Sequence, residues 1–406
     1  MIPRSKYTTD RPVYEIDDSV YRRFPVYRQG FVTLGQKDSG QTGIICWVDK
    51  MLANMAAHIM HNTAGKTRAD YALEFGGNAM NMILGMYGMP NFQFLKWNPL
   101  FVPEQLYGKP APLEPEKLTE LVKYAAGVYG SDLVGVARLD RRWVYSEDLF
   151  KPFVFADTGQ PAETDDGFII PDSVDRAVVM AVAMNIEFTR TSPAVAASTA
   201  AEMGYSRMGI LAIALAEFIR SLGYIAIPCM NDTALSIPLA IDAGLGQIGR
   251  NGLLITPEYG PCVRLCKVLT NMPLLVDRPV DFGITDFCRQ CLLCARECPP
   301  RSISFGRQSF ATVCENNNPG VKTWYVEAES CLRFWQENGA ACANCIAVCP
   351  FTAGFESVQC VECERCDNPG GCSLQTVTVE RQKHGYVQVK SWGARPESIL
   401  SARAGL

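Results

Sequence analysis

The sequence predicts a mixed α/β (α+β) protein, in which a layered core with a covered sheet precedes a cysteine-rich region. Helical and strand patterns alternate through residues 115–227, which is typical of helices packed on a sheet. Cysteines then recur at two- and three-residue intervals between residues 288 and 349, which is ligand spacing and not a disulfide framework. The 406 residues are enough for one large domain and a small appended one.

The composition argues against nucleic acid as the main partner. The chain has 42 Asp and Glu against 38 Lys and Arg, without the concentrated basic face that phosphate binding needs. No apolar run is long enough to span a bilayer, and the first ten residues lack the pattern of a signal peptide. Arg22 and Arg23 form a twin arginine, but FPVYRQG follows instead of an apolar stretch. We therefore expect no export signal in this chain.

The chain has only weak periodic patterns of apolar residues before residue 115. Residues 1–110 are predicted to be an irregular wrapping segment, with a helix only around Val48–Met60. Apolar residues recur at helical spacing from Pro115 to Ala125, and the apolar stretch LVGVARL follows, which predicts a helix and then a strand. Residues 141–173 are rich in proline and glycine, which predicts an insertion or a long loop.

The middle of the chain has the clearest patterns. Residues 176–186 are nearly continuous in apolar side chains and rich in valine, which predicts a strand buried on both faces. Residues 195–222 have helical periodicity. Residues 224–227 predict another strand, which Pro228 should end. These elements form the predicted core, residues 111–280.

Two cysteine runs provide the strongest motif. The first is Cys288-x2-Cys291-x2-Cys294-x3-Cys298-Pro299, the spacing of bacterial ferredoxins, and the second copy ends in the same C-x2-C-x3-C-P pattern after a stretched first gap. By the crossed ferredoxin arrangement, the runs would hold two [4Fe–4S] clusters and form an electron relay. The predicted ligands are Cys288, Cys291, Cys294 and Cys349 for one cluster, and Cys298, Cys331, Cys342 and Cys345 for the other.

Zinc is the alternative metal for these cysteines, because zinc sites also use C-x2-C pairs. Zinc sites have no reason to repeat the x3-Cys-Pro ending, so we favour iron–sulfur clusters. A third cysteine group in the tail could bind zinc or another cluster, or remain free thiols; it comprises Cys360, Cys363, Cys366 and Cys372. The remaining cysteines are isolated and are predicted to be small buried residues, namely Cys46, Cys229, Cys262, Cys266 and Cys314.

Gly244, Gly246 and Gly249 satisfy the G-x-G-x-x-G pattern of dinucleotide-binding proteins. The context does not fit, because a helical pattern precedes these glycines and the strand-like LLIT follows them. We therefore reject a nucleotide site. The glycines instead suggest that the backbone approaches another large, flat ligand closely.

Four stretches resemble the corrinoid-dependent reductive dehalogenases: AAEMGYSRMG, LGYIAIPCMND, AGLGQIGRNGLLITPEYGPCVRL and the DRPVDFGITDFC lead-in to the first cysteine run. The resemblance covers about residues 115–355. It implies a nitroreductase-like, corrinoid-binding core and a ferredoxin-like module with two clusters at residues 281–355, followed by a cysteine-rich tail at 356–406. It also implies that a halogen leaves as halide and is replaced by hydrogen.

Matching the family's motifs residue by residue implies that Tyr205, Asn231 and Arg264 are catalytic. Replacing a carbon–halogen bond by carbon–hydrogen needs two electrons and one proton, and a tyrosine can supply the proton. A nearby guanidinium would stabilise the phenolate, and Asn231 would orient the phenol or the halogen. The alternatives are a core position for Tyr205, a surface pair of Arg264 with Glu258, and a turn position for Asn231.

The resemblance further implies a base-off corrinoid without a histidine ligand, gripped mainly by backbone and small residues, for which Gly244, Gly246 and Gly249 are the candidates. The histidine motif D-x-H-x-x-G is absent. Trp335 falls where the family has an aromatic wall of the substrate pocket, which suits a small chlorinated organic substrate. N-terminal aromatic residues could form a lid or belong to the core: Phe92, Phe94, Trp97 and Phe101.

By resemblance, the protein would act as an exported, membrane-associated enzyme of anaerobes with a separate membrane anchor protein. Whether it forms a homodimer is left open. A rival enzyme is an epoxyqueuosine reductase-like protein, which combines the same cofactors but acts on tRNA. The short tail and the lack of a basic face argue against it. A rival of another class is an electron-transfer subunit without a catalytic centre, which would leave the first 280 residues without a purpose.

Overall fold

The computed structural model describes residues 7–39, 45–87, 97, 99 and 108–353. It has the mixed α/β architecture that the sequence predicts, with helices on a central sheet and a helical region that carries the two cysteine runs. Within these residues, no helix is both long and apolar enough to cross a membrane.

The central sheet has four strands in the order β1–β5–β9–β6, and every neighbouring pair is antiparallel. Two long strands, β5 and β9, occupy the middle and pair over eight residues. The strands are β1 (Leu133–Arg138), β5 (Arg176–Ala183), β6 (Ala226–Cys229) and β9 (Val263–Thr270).

Strand β5 is buried on both faces, as the sequence predicts. Its alternate residues point to opposite sides of the sheet, because successive side chains of a strand alternate. Ala177, Val179 and Ala181 join one apolar cluster, whereas Val178 and Met180 join the cluster under the helices. A strand with core on both sides needs apolar residues throughout, which explains the lack of alternation in its sequence.

Helices cover one face of the sheet. The long helix α6 packs along β9, and α4 packs beside it on β1. Both helices and the strand after α4 were predicted, and their bounds confirm the periodicity: α4 spans Pro115–Val128 and α6 spans Val195–Ser221. A short helix, α7 (Ser236–Asp242), contributes to the opposite apolar cluster, where the sequence also looked helical.

The prediction of an irregular N-terminal segment was wrong. This region contains three helices, of which the sequence indicated only the second; they are α1 (Gly30–Ser39), α2 (Ile45–Met60) and α3 (Arg68–Tyr87). Helix α3 packs against α6, and α2 packs against helix α10 (Ala328–Asn338) of the cysteine-rich region. Tertiary contacts stabilise these helices, since glycine and asparagine lower the intrinsic helix propensity of α3.

Residues 141–173 are more ordered than a long loop. They contain a short 3₁₀ helix and a small three-stranded sheet in the order β2–β4–β3, formed by β2 (Phe153–Ala156), β3 (Ala162–Glu163) and β4 (Phe168–Pro171). The stacked rings of Phe153 and Phe168 bury this sheet against the core, and Trp97 packs on both rings. Trp97 is therefore a core residue; the other three aromatics of the predicted lid lie outside the described residues.

Pro228 does not end its strand, in contrast to the prediction. It lies inside β6, paired with Val268. Strand β6 is at the end of the sheet, where a residue without a backbone N–H is tolerated because one side of the strand needs no partner.

The cysteine-rich region follows a two-stranded ribbon and consists of short helices. The ribbon pairs β7 (Gln247–Ile248) with β8 (Leu254–Ile255), so the strand-like LLIT after the glycine motif does contribute a strand, as predicted. Each cysteine run has one longer and one single-turn helix: α8 (Ile284–Gln290) and α9 (Leu293–Arg296), then α10 and α11 (Asn344–Ala347).

Gly135 of β1 provides a test of the sheet packing. A Cβ at this position would lie 2.2 Å from the carbonyl oxygen of Ala243, which follows α7. We expect Gly135→Ala to lower the stability of the cofactor-loaded protein by about 1–3 kcal/mol, because the backbone contact leaves no room for a methyl group. Differential scanning calorimetry would measure the corresponding fall in Tm.

Gly127→Ala is the matched control. Gly127 lies near the end of α4, and a Cβ there would meet no atom within 4 Å. Alanine favours the helix, so this variant should be as stable as the parent or more stable by about 0.5–1 kcal/mol. Equal Tm values for both variants would contradict the close approach at Gly135.

Candidate functional site

The structure brings Tyr205, Asn231 and Arg264 together from three elements. The guanidinium carbon of Arg264 lies 4.8 Å from the centre of the Tyr205 ring. Asn231 Nδ2 donates a hydrogen bond to the Tyr205 hydroxyl at 3.4 Å. We call these residues the Tyr–Asn–Arg trio. Each of them has a simple structural alternative in the sequence, but their convergence on one phenol is what the catalytic interpretation requires.

Strand alternation and a glycine position Arg264. Near the start of β9, Arg264 points to the sheet face that α6 covers, next to Gly204 and Tyr205. A Cβ on Gly204 would lie 2.7 Å from Cγ of Arg264, so glycine lets the helix approach the arginine. Arg264 Nε is buried without a hydrogen-bond partner among the described residues. This N–H is available to a further acceptor.

Lys267 supports the loop that carries Asn231. It lies on the opposite face of β9 and is fully buried. Its Nζ donates to the carbonyl oxygen of Met230 at 2.5 Å and to Ser236 Oγ at 3.0 Å. Burial lowers the pKa of this lysine, while Cys229 and Asp232 nearby act in the opposite direction. Lys267 was not predicted from the sequence, although a lysine among the apolar residues of a buried strand is unusual and needs partners.

A small pocket lies between the α6 face of the sheet and the second cysteine run. Arg264 and Trp335 both line it, so the predicted pocket wall and one member of the trio meet in this pocket. The other walls come mainly from small or apolar side chains and one cysteine: Met184, Thr189, Ala197, Ala201, Ala341, Cys342, Ala343 and Ile346. The mainly apolar lining suits a small apolar molecule.

Two carboxylates lie close to this site between α3 and α6. Burial raises the pKa of Glu74 to about 7, with Glu202 adding to the rise and a hydrogen bond from Ser198 Oγ opposing it. Burial also raises the pKa of Glu202, which Arg264 partly offsets. Glu74 was not predicted from the sequence, because the helix that carries it was not predicted either.

The three glycines of the motif are buried against the protein itself. A Cβ on Gly244 would lie 2.3 Å from the carbonyl oxygen of Arg278, and one on Gly246 would lie 2.2 Å from that of Ile255. A Cβ on Gly249 would lie 2.8 Å from the Ile255 side chain. Close packing within the chain thus accounts for these glycines, and their contact with a corrinoid stays a prediction.

The eight cysteines of the two runs form two neighbouring groups. In the first cysteine group, Cys349 from the second run is within electrostatic range of Cys288, Cys291 and Cys294. In the second cysteine group, Cys298 from the first run is within range of Cys331, Cys342 and Cys345. This exchange of one cysteine between runs is the crossed arrangement of ferredoxins. The second group adjoins the pocket through Cys342.

The thiols fit a metal cluster by their chemistry. Burial raises the pKa of Cys288, Cys294 and Cys331 to about 12, with neighbouring thiols adding to the effect. A metal would have to supply positive charge to hold them as thiolates. Among the described residues, no three His, Cys, Asp or Glu side chains are placed to ligate one ion. In a [4Fe–4S] cluster each thiolate binds a different iron, so the four need not meet at one point.

The other cysteines divide into two classes. Cys229, Cys262 and Cys266 are buried, as predicted, whereas Cys314 is only partly buried. The side chain of Cys46 is not described, and the tail cysteines lie outside the described residues: Cys360, Cys363, Cys366 and Cys372.

Comparison with known proteins identifies the family that this site resembles. Residues 119–274 match the profile described as "Dehalogenase: Reductive dehalogenase subunit". The chain is 42% identical over 314 residues to the tetrachloroethene reductive dehalogenase of Sulfurospirillum multivorans, covering 71% of this chain and 62% of that protein. It is 36% identical over 331 residues to the enzyme of the same name from Desulfitobacterium hafniense, of which it covers 59%. The chain thus spans about three-fifths of these relatives.

A solved structure confirms the overall fold. The chain matches the catabolic reductive dehalogenase NpRdhA with a TM-score of 0.64 at 22% identity, covering 96% of this chain and 48% of that one. A second reductive dehalogenase structure matches with a TM-score of 0.62 at 23% identity. These matches show that this chain has the same mixed α/β fold as the two solved structures.

The buried carboxyl group of Glu74 predicts a pH dependence of stability. Its pKa is about 7 in the folded protein against an ordinary value of 4.5. The folded state therefore retains this proton while the unfolded state has lost it, and stability falls as the pH rises from about 4.5 through 7. We expect Glu74→Gln, which keeps the acceptor for Ser198, to match the parent Tm near pH 5 and to exceed it near pH 8.

The exposed carboxylate of Glu120 on α4 serves as the control. Glu120→Gln should leave the shape of the Tm-against-pH curve unchanged, because water already solvates this group. If Glu74→Gln gives a curve parallel to that of the parent at every pH, Glu74 does not titrate as described.

Proposed function

We propose that this chain is a member of the reductive dehalogenase family and that it replaces a halogen of a small chlorinated organic compound, a chloroalkane or chloroethene, by hydrogen. The observation that carries this proposal is the Tyr–Asn–Arg trio beside a small apolar pocket that also adjoins the second cysteine group. A proton donor, a space for substrate and a route for electrons thus meet at one place. The names of the relatives from S. multivorans and D. hafniense support chlorinated ethenes as substrates.

We assign the two cysteine groups to two [4Fe–4S] clusters. Residues 281–355 would form a ferredoxin-like module, and residues 111–280 a nitroreductase-like core, with residues 1–110 packed around them and a cysteine-rich tail at 356–406. Electrons would reach the pocket through the second cysteine group, since Cys342 lines it. The mutual placement of the eight thiols supports this assignment.

A corrinoid in base-off form is the cofactor that membership of this family implies, and when bound it would supply a low-potential cobalt centre for reductive cleavage of the carbon–halogen bond. Arg264 Nε, which is buried without a hydrogen-bond partner among the described residues, and the adjacent Tyr205 phenol are donors that would suit a centre where halide leaves and a proton is taken up. We keep Gly244, Gly246 and Gly249 as proposed backbone contacts.

The trio has a defined role in proton delivery. The reaction consumes two electrons and one proton and releases halide, and the Tyr205 hydroxyl would donate the proton to carbon. Arg264, whose guanidinium lies against the Tyr205 ring, would stabilise the phenolate that remains. Asn231 donates to the same oxygen and would hold it in position. Solvent then restores the proton on Tyr205.

Trp335 would form the aromatic wall of the substrate pocket. It lies on α10, four residues after Cys331, and its ring packs edge-on against Phe31 of α1. The helix thus connects a cluster ligand with a pocket wall. By membership of the family, we also propose an exported, membrane-associated enzyme that works in organohalide respiration with an anchor protein.

Substitution of the tyrosine tests the role of the trio. We expect Tyr205→Phe to retain cobalt and iron contents of the parent but to lose dehalogenation by about 10²-fold or more, because the phenol proton is removed and the ring is kept. Tyr124→Phe, on the exposed face of α4, should keep full activity. Turnover of Tyr205→Phe at the rate of the parent would exclude the phenol as the proton donor.

The assay uses the anaerobically reconstituted chain with reduced viologen as the electron donor. Chlorinated methanes, ethanes and ethenes serve as substrates, and halide release is measured together with cobalt and iron contents. We expect halide release with at least one substrate class. A protein that binds iron but no cobalt and releases no halide would favour the electron-transfer alternative.

A further inference from the structure

Arg250 is a buried arginine next to the first cysteine group. Its side chain is 2% exposed. Its guanidinium donates to the carbonyl oxygens of Cys288 at 2.9 Å and of Ser304 and Gly306 at 2.8 Å each. It also stacks over the ring of Trp324, 4.8 Å from the ring centre. Every one of these partners is neutral, so no carboxylate among them cancels its charge.

The charge of Arg250 acts on the first cysteine group. The thiols of Cys288, Cys291 and Cys294 are all within electrostatic range of the guanidinium. An arginine remains protonated even where burial disfavours its charge. Because water is excluded from this position, its field is screened less than that of a surface charge.

The second cysteine group has a carboxylate as its charged neighbour. Glu327, the N-cap residue of α10, is within electrostatic range of Cys331. Its Oε2 accepts a hydrogen bond from the backbone N–H of Ser330 at 2.6 Å, which fixes the carboxylate at the start of the helix. A cation thus acts on thiols of the first group and an anion on a thiol of the second.

Opposite charges should shift the two reduction potentials in opposite directions. Adding one electron to a cluster makes it more negative, which a nearby cation favours and a nearby anion disfavours. Net charge and hydrogen bonding around a cluster are known determinants of its potential. The charges of Arg250 and Glu327 therefore act on the same equilibrium at the two sites.

We propose that Arg250 and Glu327 separate the potentials of the two clusters, so that the first cysteine group holds the more easily reduced cluster and the second the more strongly reducing one. This inference rests on the proposed cluster assignment. An electron from a low-potential one-electron donor would be held at the first group. Transfer of this electron to the second cluster would reoxidise the first cluster. The electron would then lie beside the pocket, on the cluster with the lower potential.

The test is a potentiometric titration of the reconstituted protein, followed by electron paramagnetic resonance of the two reduced clusters. We expect two separate midpoints in the parent. Arg250→Gln should lower the higher midpoint potential by about 59 mV or more, which is a tenfold change in the reduction equilibrium of a one-electron couple. The lower midpoint potential should stay unchanged. Glu327→Gln, which keeps an acceptor for Ser330, should raise only the lower midpoint.

Arg289→Gln is the matched control. Arg289 follows ligand Cys288 in the chain, but its side chain is 59% exposed and pairs with Asp286, so both midpoints should stay at their parent values. Arg250→Lys should retain most of the parent midpoint, because it keeps the charge and loses only part of the hydrogen bonding.

The outcomes separate this inference from the proposed function. A parent protein with fewer than eight irons per chain contradicts the cluster assignment, and the inference falls with it. If the parent and the Gln variants each hold eight irons per chain but have the same midpoint potentials, the cluster assignment is confirmed. The proposed effect of the two charges on the potentials is then wrong. If Arg250→Gln does not bind iron, Glu327→Gln decides, and an unchanged lower midpoint overturns the proposal.

Discussion

The close contact between α6 and the start of β9 is the constraint on which the site depends. Gly204 lets the helix backbone approach the side chain of Arg264, and the next residue, Tyr205, then lies under the guanidinium. On the other face of β9, Lys267 holds the carbonyl oxygen next to Asn231. Strand β9 therefore positions Arg264 on one face and, through Lys267 on the other face, the loop that carries Asn231. Helix α6 supplies Tyr205 and can approach the strand because Gly204 has no side chain.

The elements around this contact follow from the sequence where a single periodicity dominates. Helices α4 and α6 each bury one apolar face and strand β5 buries both of its faces, so the pattern determines these elements. The crossed cysteine groups could also be foreseen, because the spacing of ligands reflects the shape of the cluster. The structure adds that Cys298 and Cys349 do change groups.

Other features depend on partners far away in the chain, and local patterns do not contain them. Helices α1 and α3 are stabilised by packing on α10 and α6. Pro228 can lie within a strand only because β6 is an edge. The partners of Gly244, Gly246 and Gly249 could not be inferred from the motif, since a glycine indicates a close approach without telling what approaches. Lys267 and Arg250 were missed because their acceptors are backbone carbonyls of distant segments.

The turn between β7 and β8 has a consequence for how the metal centres assemble. Arg250 donates to the carbonyl oxygen of Cys288, and Asn251, the next residue, donates to that of Cys345 at 3.4 Å. Two adjacent residues thus fasten both ligand loops to the ribbon of the core. Insertion of iron at either loop would restrict the same turn, so the two sites should mature as one cooperative unit, with the first insertion reducing the conformational entropy that the second must remove.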